Sequence, residues 1–319
     1  MVYGIPYIGS KTQIAKYIFE VLPSGKRFVD LFGGGFAMSH YALLSGKYEE
    51  VLYREKDPLT VNLVERGLRG EFNYEIFKPE FITREEFFKN KDTDGYIKWI
   101  WSFGNNGKSY LFGRKIEPFK HLAHDFVVFG RYSDKLTDWC GIDMRKHVIA
   151  DDISERRKQW SSTLRREARQ RECIKLQQLE QLERLQQLER LQQLERLEQF
   201  ERLERLQRLE RLQRLELECA SYESYEYRDG DVVYCDPPYT NTTTSTKKSY
   251  GENFDHTSFL DWAASRPYTI YISEQAADER FVEIWHKEKR RTNGTDNTVL
   301  RTERLFVNMQ EDKDGGTIM

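Results

Sequence analysis

A short turn late in the chain carries the residue types that could hold an exocyclic amine. The segment CDPPYTNTT (235–243) places Asp236, Pro237, Pro238 and Tyr239 directly after an apolar run that indicates a buried strand. The prolines cannot continue a sheet ladder, and they leave nearby backbone carbonyls without local partners. A carboxylate, a free carbonyl and an aromatic ring then converge in a rigid turn. This set suits the amine of a planar base, with two acceptors for its N–H groups and a ring for stacking.

A second candidate turn lies near the N-terminus. The segment VDLFGGGFA (29–37) ends another predicted strand with an acid and three glycines: Asp30, Gly33, Gly34 and Gly35. In an open α/β sheet, ligands bind at the carboxyl ends of strands, and glycines let the backbone approach them. Glu55 ends the next predicted strand, where an acid can bind ribose hydroxyls. The alternatives are a plain strand–helix turn for the glycines and a solvated charge for Glu55.

Composition limits the class of protein that could use these turns. The chain has 319 residues, with 50 basic and 52 acidic side chains and a net charge of −2, which excludes a generic polycation that coats nucleic acid. No apolar run is long enough for a transmembrane helix, and the N-terminus does not resemble a secretory signal. The cysteines lack CxxC spacing, so we expect no metal site, no disulfide scaffold and a cytoplasmic location.

Strands and helices alternate in the segments that must position the two turns. The pattern predicts strands at 26–32, 49–57, 231–239, 266–273 and 299–308, and helices at 36–46, 58–70 and 278–287. Such alternation predicts an α/β fold, with a mostly parallel, Rossmann-like sheet and helices on both faces. The aromatic-rich segment 71–160 breaks this rhythm and indicates a separate, mostly helical lobe.

A low-complexity repeat interrupts the later part of the chain. Leucine recurs at every third position from Leu176 to Leu215, with Phe200 replacing it once, and Gln, Glu and Arg fill the gaps. Composition favours a helix, although a period of three suits neither an ordinary amphipathic helix nor a coiled coil. A 3₁₀ helix or a narrow solenoid are the alternatives. The repeat is either a spacer or self-association arm or a tolerated surface expansion. We expect excision of 174–218 to leave the fold and the activity mostly intact.

Taken in order, these motifs resemble those of the Dam-type (D12 class) DNA adenine-N6 methyltransferases, which use S-adenosylmethionine. YIGSKTQIAKYI (7–18) resembles the family's N-terminal cofactor motif, FVDLFGGGFA its glycine-rich motif and DVVYCDPPY its catalytic motif. FDHTSFLDWA (254–263) and YISEQ (271–275) are similar to the motifs that follow. The resemblance implies a methyltransferase fold and methyl transfer to the amino group of an adenine flipped out of double-stranded DNA.

The resemblance also implies roles for individual residues. Ten residues would bind the cofactor: Tyr7, Gly9, Lys11, Asp30, Phe32, Gly33, Gly34, Gly35, Glu55 and Asp236. Four would form the catalytic turn: Asp236, Pro237, Pro238 and Tyr239. Within it, Asp236 and the carbonyl of Pro237 would accept hydrogen bonds from the amine, and Tyr239 would stack on the base.

Contacts with DNA are expected from the middle of the chain and from the loop after the catalytic turn. The segment 101–115 interleaves aromatic, amide and cationic side chains, the types that stack on bases and read their edges. The candidate DNA-binding residues are Asn105, Asn106, Lys108, Tyr110, Arg114, Lys115, Lys247 and Lys248. Further candidate phosphate binders are Lys287, Lys289, Arg290 and Arg291. A solvated surface charge is the alternative for each cation.

The predicted organisation has three parts. Residues 1–70 and 219–319 form a discontinuous catalytic domain, 71–160 a target-recognition lobe, and 161–218 the repeat insert. The expected partner is double-stranded DNA, without membrane or metal, and the insert could add self-association. Three alternatives remain open: an N4-cytosine methyltransferase, an RNA-base methyltransferase, and a non-catalytic DNA-binding scaffold.

Overall fold

The computed structural model describes residues 3–73, 77–175, 214–238, 254–292, 298–311 and 317–318. The chain forms two compact units, one of residues 1–65 and 209–319 and the other of residues 66–208. Most of the leucine repeat, Tyr239, Lys247 and Lys248 lie outside the described residues. None of the described helices is long and apolar enough to cross a membrane.

A seven-stranded sheet dominates the first unit. Its strands are β1 (Gly25–Asp30), β2 (Tyr48–Glu55), β3 (Leu215–Cys219), β4 (Asp231–Cys235), β5 (Ile270–Glu274), β6 (Phe281–Thr292) and β7 (Thr298–Asn308), arranged as β3-β2-β1-β4-β5-β7-β6. The first five strands in that order run parallel, and β7 joins β5 and β6 in antiparallel pairing. Two short strands, β8 (Gln310–Glu311) and β9 (Thr317–Ile318), pair separately. The prediction of a mostly parallel α/β sheet is confirmed.

Nine α-helices occur among the described residues. They are α1 (Ala15–Val21), α2 (Ala37–Ser45), α3 (Pro58–Leu68), α4 (Arg84–Asn90), α5 (Gly95–Ile100), α6 (Glu117–Phe129), α7 (Asp134–Cys140), α8 (Ile153–Lys175) and α9 (His256–Ala264). Pro58 begins α3, where its fixed φ suits the first turn and its missing N–H costs no hydrogen bond. At the start of α9, the carboxylate of Asp255 accepts a hydrogen bond from the backbone N–H of Ser258.

Helices pack on both faces of the sheet. Successive side chains of a strand point to opposite faces, so Phe28 and Val29 of β1 lie on different sides. The ring of Phe28 contacts the ring of Phe19 from α1, with 5.0 Å between the centroids. Val29 belongs to the core cluster that contains Phe259 of α9. The central strands are therefore covered on both sides, as their apolar sequences require.

The direction of strand order reverses between β1 and β4. From β1 the chain proceeds outward to β2 and β3, and from β4 it proceeds the other way to β5. The carboxyl end of β1 leads into the glycine turn, and the carboxyl end of β4 leads into Asp236 and Pro237. In open parallel sheets, ligands bind at this reversal of strand order. The fold thus brings the two turns to one position.

Two sequence predictions need correction. The helix predicted at 278–287 is wrong, because Phe281–Thr292 forms β6, whose backbone pairs along its length with β7. The predicted repeat insert is also too long, since Leu215–Cys219 forms β3 and pairs with β2. Pairing with β2 supplies hydrogen bonds and a packing surface that the repeat pattern alone does not reveal. Excision of 174–218 would therefore remove most of an edge strand of the sheet.

The second unit has its own hydrophobic core. Its described part contains α4 to α8 and a cluster of buried side chains that includes Phe126, Leu136, Met144 and Trp160. Two capped helix starts help to define it, since Thr83 and Glu86 form a capping box at α4 and Asp94 caps α5. The remainder of the repeat, residues 176–213, lies outside the described residues.

Candidate functional site

The glycine turn fits closely against two tyrosine rings. A Cβ atom on Gly33 would overlap the ring of Tyr53, and one on Gly35 would overlap the Cβ of Tyr7. Gly34 has φ +44°, in the left-handed region that favours glycine. The Tyr53 hydroxyl donates a 2.8 Å hydrogen bond to the Gly34 carbonyl. Each glycine is therefore required by close approach or by backbone conformation.

Asp30 lies beneath this turn and is almost fully buried. It ends β1, is 1% exposed, and its Oδ2 accepts a 2.7 Å hydrogen bond from the Ser39 hydroxyl. Its Oδ1 accepts no hydrogen bond from the described residues. Burial raises the pKa of Asp30 to about 7; hydrogen bonds from Ser39 oppose this rise, and the charges of Asp236 and Glu55 add to it. A cationic group near Oδ1 would favour the ionised form.

Glu55 connects β2 to the glycine turn. Its Oε2 accepts a 2.9 Å hydrogen bond from the backbone N–H of Gly34, and its Oε1 accepts one of 2.9 Å from that of Asp57. Burial raises its pKa above the usual value, despite these hydrogen bonds. The residue is partly exposed, and its carboxylate has about four acceptor positions in all, more than its backbone partners use. It can therefore hold the turn and accept hydroxyl groups of a ligand at the same time.

Lys11 and Asp236 join two distant motifs. The Lys11 ammonium donates to both carboxylate oxygens of Asp236, at 2.6 and 2.7 Å. Lys11 is 6% exposed, and the Asp236 side chain is 18% exposed. A charge-assisted pair of this kind holds the carboxylate in place and favours its ionised form. Asp236 follows directly after β4, with Pro237 buried and Pro238 partly exposed.

Three other predicted cofactor residues, Phe32, Tyr7 and Gly9, differ in their local contacts. Phe32 stacks on Tyr222, with ring centroids 5.2 Å apart, and meets Phe259 edge-on. Tyr7 is buried beside Gly34 and Gly35. Gly9 has φ +78°, and a Cβ atom added there would meet no other atom, so conformation rather than crowding favours glycine. Tyr7 and Phe32 lie at the glycine turn, and the cofactor roles of Tyr7, Gly9 and Phe32 stay predictions.

Sequence reasoning missed one acid at this edge of the sheet. Glu274 is the last residue of β5 and is 4% exposed. The charges of Asp236 and Lys11 both act on its carboxyl group. The signal was present, because Glu274 follows an apolar strand just as Asp30 and Asp236 do. Among the residues that the structure describes, no group of three His, Cys, Asp or Glu side chains could hold a metal ion.

The candidate DNA-binding residues of the second unit fall into two groups. Asn105 donates from Nδ2 to the Trp99 carbonyl at 2.8 Å, and the Asn106 side chain accepts from the backbone N–H of Lys108 at 2.8 Å. The buried Tyr110 donates its hydroxyl to the Ile82 carbonyl at 2.7 Å. These three side chains shape the loop. The exposed side chains are Lys108, Arg114 and Lys115.

The chain matches one known family over two ranges. Residues 7–99 and 179–290 match the family model described as D12 class N6 adenine-specific DNA methyltransferase. These ranges make up more than half of the chain, and they include the glycine turn, Glu55, Lys11, the Asp236 turn and Glu274. A search of curated proteins gave no match.

Proposed function

The chain belongs to the D12 class N6 adenine-specific DNA methyltransferase family, and from this premise we propose how its own residues carry out the reaction. The protein is an enzyme that methylates N6 of adenine in DNA. We propose that the methyl donor is S-adenosylmethionine and that Asp236 holds the adenine amine. The observation that carries this proposal is the Asp236 turn, which is anchored by Lys11 next to the glycine turn at the reversal of strand order.

The residues around the glycine turn fit the proposed cofactor. Asp30 offers a buried Oδ1 without a hydrogen-bond donor among the described residues, which suits a cationic amino group. The Glu55 carboxylate has more acceptor positions than its backbone partners use, which leaves it able to accept ribose hydroxyls. The glycines allow the backbone to lie close to a ligand, as in other nucleotide sites of this architecture. When bound, S-adenosylmethionine supplies an activated methyl group on a sulfonium.

Asp236 and the Pro237 carbonyl would act on the amine itself. An aromatic amine is a weak nucleophile because its lone pair is delocalised into the ring. Two acceptors at the N–H groups draw the nitrogen toward tetrahedral geometry and localise that lone pair. The Lys11 ammonium already donates to each Asp236 oxygen, at 2.6 and 2.7 Å. An N–H group of the adenine amine would therefore donate to another lone pair of the same carboxylate. Catalysis then depends on positioning, which Lys11 and the two prolines secure.

The DNA side of the reaction requires the target base to leave the helix. Flipping costs a few kcal/mol, and Tyr239 would recover part of this by stacking on the base. In the second unit we propose that Lys108, Arg114 and Lys115 contact phosphates, while Asn105, Asn106 and Tyr110 shape their loop. Lys247 and Lys248 would add charge after the catalytic turn. A cytoplasmic location and self-association through the repeat remain predictions.

The family match favours adenine in DNA over the cytosine, RNA and scaffold alternatives. The direct test incubates the full-length protein with radiolabelled S-adenosylmethionine and mixed-sequence duplex DNA, and separates the product nucleosides. We expect the label in N6-methyldeoxyadenosine. Label in N4-methyldeoxycytidine would contradict the base assignment, and absence of cofactor binding would contradict the proposed donor.

A further inference from the structure

Glu274 is a buried acid for which the reaction described above has no use. The backbone N–H of Gln275 donates to its Oε1 at 2.7 Å, whereas its Oε2 accepts no hydrogen bond from the described residues. An ionised carboxylate is costly in such a place, because a buried charge needs donors or a counter-ion. An apolar side chain would pack equally well at this position, so packing alone does not explain an acid there.

Its position is next to the catalytic turn. Strands β4 and β5 pair in parallel with Cys235 beside Ile272, so one further step brings Asp236 level with Ser273. Glu274 follows directly, at the same edge of the sheet. Burial raises its pKa to about 7; the Asp236 and Glu303 charges add to this rise, and the Gln275 N–H and Lys11 oppose it. The carboxyl group can therefore both take up and release a proton near neutral pH.

His256 offers a connection from Glu274 toward solvent. Its Nδ1 lies 3.9 Å from Oε2 of Glu274, and its side chain is 21% exposed. Burial lowers the pKa of His256 below its usual value, against the opposing charge of Asp255, so the ring is neutral at pH 7 and can accept a proton. The distance exceeds that of a hydrogen bond, as catalytic contacts often do before the substrate binds.

Another charged side chain that the structure describes beside Glu274 is directed elsewhere. Arg304 of β7 lies level with Glu274 in the antiparallel pairing. Its guanidinium donates to the Gln275 carbonyl at 2.6 Å and pairs with Glu283 at 3.0 Å. Asp236 is held by Lys11. Of these two neighbouring acids, Asp236 is thus held by the Lys11 ammonium, whereas Glu274 has a pKa of about 7.

We propose that Glu274 receives the proton that adenine N6 loses on methylation, and that His256 passes it to solvent. The N–H bond breaks, its electron pair returns to N6, and the proton moves through one water molecule to Oε2 of Glu274. It then moves to Nδ1 of His256. Asp236 keeps its place beside Lys11 throughout. This inference rests on the proposed function, because it requires the adenine amine to lie at Asp236.

The test compares Glu274→Gln with the wild-type enzyme in single-turnover methyl transfer across the pH range around 7. Glutamine resembles the protonated acid in shape and charge, so the variant keeps the packing and loses only the proton acceptor. We expect transfer to be roughly 100-fold slower. Affinities for cofactor and DNA should be unchanged, and the rise of the wild-type rate through pH 7 should be absent. In His256→Ala, added imidazole should restore the rate, which a structural role would not produce.

Exposed side chains of the same types on β6 provide the control. The side chains of His286 and Glu288 are exposed, so His286→Ala and Glu288→Gln should transfer methyl groups at the wild-type rate. A wild-type rate and pH profile for Glu274→Gln would overturn the proton route. Absence of transfer by the wild-type enzyme would instead contradict the proposed function on which the route rests.

Discussion

Three acids at one edge of the sheet, the buried Asp30 and Glu274 and the partly exposed Asp236, differ in what balances their charge. Asp236 has the Lys11 ammonium on both oxygens. Asp30 has one hydroxyl group from Ser39, and Glu274 has one backbone N–H. For Asp30 and Glu274, burial raises the pKa to about 7. The carboxyl group therefore has three proposed roles that depend on its surroundings. Asp236 is a fixed hydrogen-bond acceptor, Asp30 a site for a cation, and Glu274 a proton acceptor.

Cofactor affinity should depend on the ionisation of Asp30. Its pKa of about 7 means that it is largely protonated below that pH, whereas a cationic amino group binds the ionised form. Affinity for S-adenosylhomocysteine, which carries the same amino group, should fall as pH drops below 7, approaching about tenfold per unit. Titration calorimetry from about pH 5.5 to 8 measures this. Asp30→Asn should bind weakly with little pH dependence; an unchanged wild-type affinity across the range would contradict the role of Asp30.

At the scale of elements, β1 and β4 are joined at the end opposite the site. The guanidinium of Arg27 donates to both carboxylate oxygens of Asp231, at 2.9 and 2.8 Å, and the Tyr225 hydroxyl donates to the same acid. Burial alone would raise the pKa of Asp231, but these hydrogen bonds outweigh it and the pKa lies below its usual value. The pair fixes the register of the two strands that carry the glycine turn and Asp236.

Removing Arg27 should therefore weaken the sheet. Arg27→Met leaves a buried carboxylate without its cation, and we expect a loss of about 3 kcal/mol in the free energy of unfolding at pH 7. Because the pKa of Asp231 is depressed in the folded protein, this contribution is present above the ordinary aspartate pKa and disappears as pH falls below it. Urea unfolding at pH 7 and at a series of pH values below about 4 measures both. The exposed Lys26→Met is the control, and equal stability of Arg27→Met and wild type would refute the claim.

The sequence predicted elements where local pattern and pairing agree. Apolar runs followed by turn residues located β1, β2, β4, β5 and β7. It failed for β6, where a helix was predicted at 278–287, because only pairing with β7 makes that segment a strand. It failed for β3 because Leu215 is the last leucine of the repeat and the residues after it have a similar composition of leucine and glutamate. The contact of Lys11 with Asp236 spans 225 residues, and no local pattern encodes such a pairing.

At the scale of the whole molecule, the boundary of the repeat matters for the first unit. The Arg54 side chain pairs with Glu218, and Arg214 donates to the backbone of β2. Residues 214–218 therefore belong to the sheet, whereas 176–213 lie outside the described residues. An insert outside the packed core costs little stability whatever its length.

Two replacements separate these parts. Exchanging 176–213 for a Gly/Ser linker of equal length should leave the melting temperature and methyl transfer close to wild type. Extending the exchange through Glu218 removes β3 and should lower both. Calorimetry measures the melting temperature of each replacement, and a methyl-transfer assay measures its activity. Sedimentation shows whether the wild-type protein self-associates through the repeat. Equal behaviour of the two replacements would contradict the structural role of β3.

The central claim is that Asp236 acts on the adenine amine and is not required for cofactor binding. The decisive measurement pairs single-turnover methyl transfer with S-adenosylhomocysteine affinity in Asp236→Ala and Asp236→Asn, the latter keeping an oxygen for Lys11. The exposed Asp229→Ala is the matched control. We predict that both Asp236 variants bind the ligand and fail to methylate DNA, while Asp229→Ala behaves as wild type. Normal methylation by a folded Asp236 variant would contradict the account.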